Sequence, residues 1–517
     1  MFDRHRTARH RHRHPAVRVL RVLGASATLA IACQAARAQD AATTGGIVIR
    51  PAQARITAER LKLPGDENLG LVGNSYLVDV GSGFSFGPEV LGAVSGKRGG
   101  LFSLGGELGY RQDLAGPLRA EAGLYVGGGG GGGIAVKNGL VLRPHVDLLY
   151  DFGAYNIGLS WSRVRFVGTP IDSSQLGLVL SANTNFGYIP RDRMNIPVAS
   201  IGRPGAGFDR IQAVFGVYQP RGNNTRASGG KLPESLGYVG VRAERAFNGI
   251  SYWGLEANAG TKGGVTGYAE YLATVGVETG IGDQLFTVGS RLAIGMGGGG
   301  DVSTGGGLLG KASVYTAVRL SRDLAATIEL GVAKAPQGNF KAVQGAASLM
   351  WIFDDAGNVF SPSRTTRTEF SAGVEQFDAA RRDGSTRRLR AIVLKGSRFI
   401  DSNLYVTGQA HSAYDGDAGG YAAGLFGFGW QTPLGGPNGP TWYVGLEALS
   451  GAGGGGGVDV RGGALVQGNA YVGFDLGPST SVRINAGKIR SQRGHVDSTV
   501  LDVALVFSFG LAGQGAR

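Results

Sequence analysis

The 517-residue sequence has one cysteine, Cys33, seven histidines and, beyond its N-terminal segment, no apolar run of the roughly 18 residues that a transmembrane helix requires. Each scarcity excludes something. A lone cysteine supports neither a disulfide framework nor a cysteine-based metal site. Without a long apolar run, any bilayer crossing must be made by strands. Three histidines remain past residue 38, His145, His411 and His495, which leaves few places for imidazole chemistry.

The N-terminus has a clear order. Arginines and histidines crowd the first residues, a mostly apolar run extends from Val22 to Cys33, and Ala36-Arg37-Ala38 follows. Basic region, short apolar region and small-residue site predict a secretory signal peptide over 1-38, cleaved to leave Gln39 first. Cys33 after Leu29-Ala30-Ile31-Ala32 is the lesser alternative, a lipid-attachment cysteine, because Ala30 stands where a bulky aliphatic residue is expected. The net charge of +13 owes much to this segment. The 51 basic residues less its eight arginines leave 43, and the 38 acidic residues less Asp3 leave 37, a balance of +6 that does not argue for nucleic acid.

Glycine is abundant, 93 residues against an average near 7%. That opposes long helices and suits a strand-rich, curved structure. Glycine tracts begin at Gly127, Gly297 and Gly453, and strand-like runs end at Phe186, Phe353 and Phe509. The two sets of landmarks agree on a period, which predicts three internal repeats of about eight strands, over 53-186, 209-353 and 368-509. In the second unit, alternation places strands near 209-219, 234-247, 250-260, 267-279, 284-296, 307-320, 325-335 and 342-353. The tracts themselves are expected to be mobile outer loops or strand ends, since glycine runs behave as flexible linkers.

Within the strands one face is bulky and apolar and the other small or polar. Tyr155, Ile157, Leu159 and Trp161 oppose Asn156, Gly158, Ser160 and Ser162, and Leu501, Val503, Leu505 and Phe507 oppose Asp502, Ala504, Val506 and Ser508. A soluble barrel would hide the bulky face, whereas a membrane barrel presents it to lipid. Signal, alternation and aromatic-ended strands make the chain resemble the outer-membrane β-barrel proteins of Gram-negative bacteria. The resemblance is to a class and covers nearly all of 39-517. One departure is the tail GLAGQGAR after Phe509, where such proteins usually end on an aromatic residue. The resemblance implies outer-membrane lipid, lipopolysaccharide and the outer-membrane insertion machinery as partners.

Few residues assemble chemistry. Gly305 to Lys311 is one residue short of a phosphate-binding loop, Ala312 replaces its hydroxyl residue, and a strand rather than a helix follows. His411 and Ser412 are neighbours that point to opposite faces of a strand, while His145 and Asp147, like His495 and Asp497, share a face. No nucleophile, base and orienter come together, so no enzymatic activity, metal site or cofactor is expected. Inward-facing charges are candidates for lining a pore: Glu121, Arg291 and Glu447 at equivalent repeat positions, with Glu270, Glu329 and Arg483. The alternative for them is buried ion pairs in a filled interior. The densest basic stretch, 381-398, offers Arg381, Arg382, Arg387, Arg388 and Arg390 to a polyanion such as lipopolysaccharide or a surface polysaccharide, the alternative being a solvated loop.

The sequence thus predicts an all-β transmembrane antiparallel barrel of about 24 strands in the outer membrane, acting as a pore or export conduit. A surface structural or adhesion protein is the alternative, and a lipid-modifying enzyme ranks third. Closure as one barrel is favoured over three eight-stranded barrels, because repeating a unit most simply enlarges one sheet. The strand ending at Phe186 should then pair with that beginning near Asp209, and the last strand with the first, near Arg55.

Overall fold

The computed structural model describes residues 42-44, 47-191, 194, 207-281, 285-321, 323-353, 364-435 and 441-513. The expected signal peptide, Cys33 and the Ala38-Gln39 junction lie outside them. The described residues form β-strands joined by turns, with no helix long and apolar enough to cross a membrane. A short β1 (Ala42–Thr44) lies on β2.

Three rings follow. The first comprises β2 (Ile47–Lys62), β3 (Asn68–Gly81), β4 (Phe84–Ser95), β5 (Phe102–Asp113), β6 (Leu118–Gly130), β7 (Leu140–Asp151), β8 (Tyr155–Phe166) and β9 (Asp172–Pro190). The second comprises β10 (Arg210–Pro220), β11 (Leu236–Ala246), β12 (Ser251–Lys262), β13 (Ala269–Ile281), β14 (Phe286–Gly298), β15 (Leu308–Arg319), β16 (Leu324–Lys334) and β17 (Lys341–Ile352). The third comprises β18 (Arg364–Ala380), β19 (Thr386–Phe399), β20 (Leu404–Asp415), β21 (Ala422–Pro433), β22 (Trp442–Gly454), β23 (Ala464–Asp475), β24 (Thr480–Ser491) and β25 (Asp497–Gly513).

Each ring closes on itself through antiparallel pairing of its first and eighth strands. β2 pairs with β9 from Val48↔Tyr188 to Glu59↔Gly177, β10 with β17 from Arg210↔Ile352 to Pro220↔Ala342, and β18 with β25 from Arg364↔Gly513 to Gln376↔Leu501. The expected single closure is therefore corrected. β9 does not pair with β10, nor β25 with β2. The physical reason is that eight strands already close around a bore that side chains can fill, leaving no edge to extend. β9 and β25 do touch, however. Two rungs near their ends, Phe509↔Pro190 and Gly510↔Ile189, tie the third barrel to the first.

Side-chain burial is inverted relative to a water-soluble barrel. On β8 the outward Leu159 is 57% exposed while the inward Asn156 is fully buried. Outward Leu176, Ile328, Leu330 and Ile484 are similarly exposed, while the inward positions carry the buried charges. A surface of this kind is stable against hydrocarbon and not against water. Where inward positions are glycine, tyrosine rings from neighbouring strands lie over the wall: a Cβ on Gly216 would meet the Tyr238 ring at 2.1 Å, and one on Gly473 the Tyr443 ring at 2.0 Å.

The barrels pack as a closed cycle. The third strand of each meets the fifth of another: β4 meets β14, β12 meets β22 and β20 meets β6. This is a head-to-tail interface that closes after three units. The turns holding the glycine tracts and residues 381-385 share one end of the assembly.

Candidate functional site

The three bores, the outer joint between the barrels and the space enclosed by their walls are the places where function can reside. The bores follow directly from strand alternation, because every inward charge must find a partner once desolvated. In the first barrel Arg55 on β2 sits at the centre, with Nη1 3.1 Å from Glu107 and 3.4 Å from Glu121 and Nη2 against Asp147. His145 bridges Asp147 and Glu107, each at 3.0 Å, and Arg143 pairs with Glu59 at 2.9 Å.

The second bore has the densest network. Arg291 donates to Glu329 at 2.6 Å and to Glu244 at 2.7 Å, and lies over the Tyr315 ring at 4.6 Å. Arg242 pairs with Glu256 at 2.8 Å and with Glu329 at 3.0 Å. Lys311 donates to Glu256 at 2.8 Å and Glu270 at 2.9 Å, and the Tyr218 hydroxyl donates to Glu270 at 2.7 Å. In the third bore Lys395 and the Tyr405 hydroxyl both donate to Glu447, Arg483 donates to Glu369 and stacks 4.3 Å over Tyr471, and His411 faces Glu375 at 3.0 Å.

All six expected pore-lining residues are therefore inward and buried. Glu121, Arg291 and Glu447 fall on the fifth strands, β6, β14 and β22, and Glu270, Glu329 and Arg483 on β13, β16 and β24. They are engaged with charged partners across the bores. Sequence reading missed those partners: Arg55 for Glu121, Glu244 for Arg291, Arg242 for Glu329, Lys311 for Glu270, Lys395 for Glu447 and Glu369 for Arg483. The signal for them was available, since each stands on the small-residue face of an alternating strand.

Lys311 belongs to β15, so Gly305 to Lys311 opens no helix. His411 points inward, whereas Ser412 points outward beneath the first barrel, its carbonyl oxygen 2.4 Å from where a Cβ on Gly128 would stand. His145 does meet Asp147, but His495 pairs with Asp459 at 2.6 Å and Asp497 with Lys488 at 2.8 Å. Among the described residues no group of three or more His, Cys, Asp or Glu side chains is placed to hold a metal ion.

The basic stretch is divided among several tasks. Arg381 is buried and donates to the carbonyls of Gly456 at 2.7 Å and Gly416 at 2.8 Å, pinning the third glycine tract. Arg387 pairs with Asp417, Arg388 with Asp378 and Arg390 with Asp415. Arg382 is exposed at the turn, and its backbone N–H donates to Gly457. Hydrogen bonds from Ser385 hold the nearby Asp383 carboxyl below the usual carboxylate range.

The joint between the barrels is built from glycine. Gly100, Gly267 and Gly420 follow the third strands of their barrels with φ of 89°, 87° and 89°, and Gly131, Gly299 and Gly455 follow the fifth strands with φ of 103°, 82° and 95°. These six residues form a closed cycle of backbone contacts. A Cβ on Gly100 would stand 2.1 Å from the Gly299 nitrogen, one on Gly299 2.3 Å from the Gly267 oxygen, and one on Gly267 3.1 Å from the Gly455 nitrogen. A Cβ on Gly455 would stand 1.9 Å from the Gly420 oxygen, one on Gly420 2.9 Å from the Gly131 nitrogen, and one on Gly131 2.2 Å from the Gly100 oxygen.

Hydrogen bonds between barrels secure the cycle, among them Gly99 N–H to Gly305 oxygen at 2.8 Å and Gly419 N–H to Lys137 oxygen at 2.6 Å. The tracts begin as strand ends, one of the two placements expected of them: Gly127 to Gly130 close β6, Gly297 and Gly298 close β14, and Gly453 and Gly454 close β22. Positive φ and contacts that exclude a Cβ make these tracts a packed joint where only glycine fits.

No protein-family model matches the chain, and no curated protein matches it. Among solved structures, it is matched to Pseudomonas aeruginosa OccK10 (OpdN) at 8% identity over 89% of this chain and 99% of that one, with a TM-score of 0.22. A structure described as a bacterial polysaccharide outer membrane secretin is matched at 8% identity over 90% and 99%, TM-score 0.21. The P. aeruginosa siderophore receptor PirA is matched at 8% identity over 89% and 80%, TM-score 0.26. At TM-scores of this size the likeness carries no inference about this chain.

Proposed function

We propose that the chain is an integral outer-membrane protein in which three eight-stranded barrels, closed by their own side chains, act as one stapled platform for the outer turns. The observation that supports this reading is the pairing inside all three bores. Arg55 and Arg291 lie among carboxylates and Arg483 pairs with Glu369, so a passing solute would have to separate desolvated ion pairs. The apolar outward faces supply the membrane surface, and the three barrels arose as repeats of one unit. The partners expected from this reading are lipid, lipopolysaccharide and the insertion machinery, with a surface polysaccharide at the outer turns. Arg382, exposed at the turn, is the residue we assign to polyanion contact, with Arg387, Arg388 and Arg390 contributing once their carboxylates are displaced.

A second reading, a pore or export conduit, keeps one observation in its favour: the bores hold charges of both signs, as ion pathways do. Planar-bilayer conductance of the purified protein separates the two. The platform reading expects no steady large conductance in the native chain and the appearance of single-channel events when Arg291→Ala and Glu329→Ala thin the second network. A large, steady conductance of the native chain would instead establish the conduit.

A further inference from the structure

Between the walls of the second and third barrels lies a cavity of about 1020 Å³. Its walls are the outward faces of the second and third barrels, joined by the ends of β9 and β25. Aromatic rings define it: Phe215 meets Phe426 at 6.0 Å, Trp351 meets Phe428 at 5.4 Å, and Phe186 meets Phe509 at 5.3 Å between ring centroids. Its volume is at the upper end of the roughly 300–1,000 Å³ of small-molecule sites.

We propose that this cavity holds the acyl chains of a phosphorylated glycolipid of the outer leaflet, of the lipid A type. The inference rests on the membrane reading above and concerns a place distinct from the basic turn at 381-390. An apolar cavity of this kind does not retain water. At bilayer depth the remaining filler is hydrocarbon. The lining also includes Lys488 and Arg490 on β24, toward the end that carries the glycine tracts. Among the described residues they share one carboxylate, Asp497, 2.8 Å from Lys488 and 3.8 Å from Arg490, so the pair retains an excess positive charge. Both side chains are exposed and long enough to reach a headgroup phosphate while their stems follow the apolar wall. An apolar wall below and cationic side chains toward the outer leaflet match a lipid that carries phosphate at its surface end.

The test is native mass spectrometry of the full chain, extracted from an outer-membrane fraction and exchanged in detergent against vesicles of phosphatidylcholine with or without diphosphorylated lipid A. Recovery in that fraction tests the membrane reading separately. The proposal expects one lipid A retained per chain after washing. Ala448→Trp, which fills the cavity wall, should abolish retention, and Lys488→Glu with Arg490→Glu should weaken it about tenfold or more. Leu176→Trp, on an exposed wall of the first barrel, should leave it unchanged. If Ala448→Trp does not fold, as judged by heat-dependent gel mobility, the charge variants decide. Absence of retained lipid, equal retention of phosphatidylcholine, or retention indifferent to the charge reversals would each overturn the proposal.

Discussion

At the scale of single residues, two kinds of position carry the assembly: glycines that tolerate no Cβ and inward charges that tolerate no loss of partner. Gly100→Val forces a β-branched residue to φ of 89° and drives its Cβ into Gly299. Strain of this kind costs about 1–3 kcal/mol before the clash is counted. Gly222→Val has comparable strain at φ of 79° and nothing within 4 Å, so it isolates the effect of the joint. Limited proteolysis should expose the tract of the second barrel in the first variant and not in the second. Inside the bore, Glu329→Ala removes a carboxylate shared by Arg291 and Arg242, which keep Glu244 and Glu256, so the cost falls below the about 3–5 kcal/mol of leaving a buried charge unpaired. The midpoint of the heat-dependent gel shift should fall in that variant, and equal midpoints would contradict the assignment.

Glu67, in the turn after β2, gives a pH-dependent case outside the membrane. Hydrogen bonds from Arg98 hold its carboxyl below the usual carboxylate range. Its folded pKa lies below the unfolded value of about 4.3, so its contribution is present above that pH and is lost as pH falls through the folded pKa. The stability difference between native chain and Glu67→Gln should therefore be small but measurable near neutrality and vanish in acid. Much at this scale was legible. The inward placement of Glu121, Arg291 and Glu447 follows from alternation alone, and so would that of Arg55. Which carboxylate each cation meets was not legible, because those partners come from strands far apart in sequence.

At the scale of elements, the expected strands of the second unit agree with β10 to β17 to within two residues at nearly every boundary, since turn residues and alternation mark both ends. The two faces were assigned correctly as well, with Leu505 outward and Ala504 inward. What alternation could not reveal is that the inward face is packed. Ala504 is buried and stands 2.7 Å from where a Cβ on Gly373 would be, so an arginine there meets no water and overfills the bore. A clearer contrast uses the outward face alone. Leu330→Arg, at an exposed wall position, should lower folding yield into vesicles by the equivalent of about 2–4 kcal/mol if it sits near the midplane. Leu330→Phe should fold normally, and equal yields for the two would show that this face does not meet lipid.

At the scale of the whole molecule, the sequence was read as three units of about eight strands, a reading that did not say how they close. Both arrangements use the same strands, the same faces and nearly the same turns, and differ only in which strand follows the eighth. The decision is made by ring geometry and by the six-glycine joint, whose members come from all three barrels and whose role no local pattern announces. Three separately closed barrels, cycled third strand to fifth, are the central claim, and disulfide trapping tests it most directly. Phe215→Cys with Ala347→Cys spans the first and eighth strands of the second barrel, whereas Ala54→Cys with Val503→Cys spans the terminal strands that a single barrel would join. The account predicts efficient crosslinking of the first pair and none of the second in the folded, membrane-extracted protein. Crosslinking of the second pair with none of the first would contradict it.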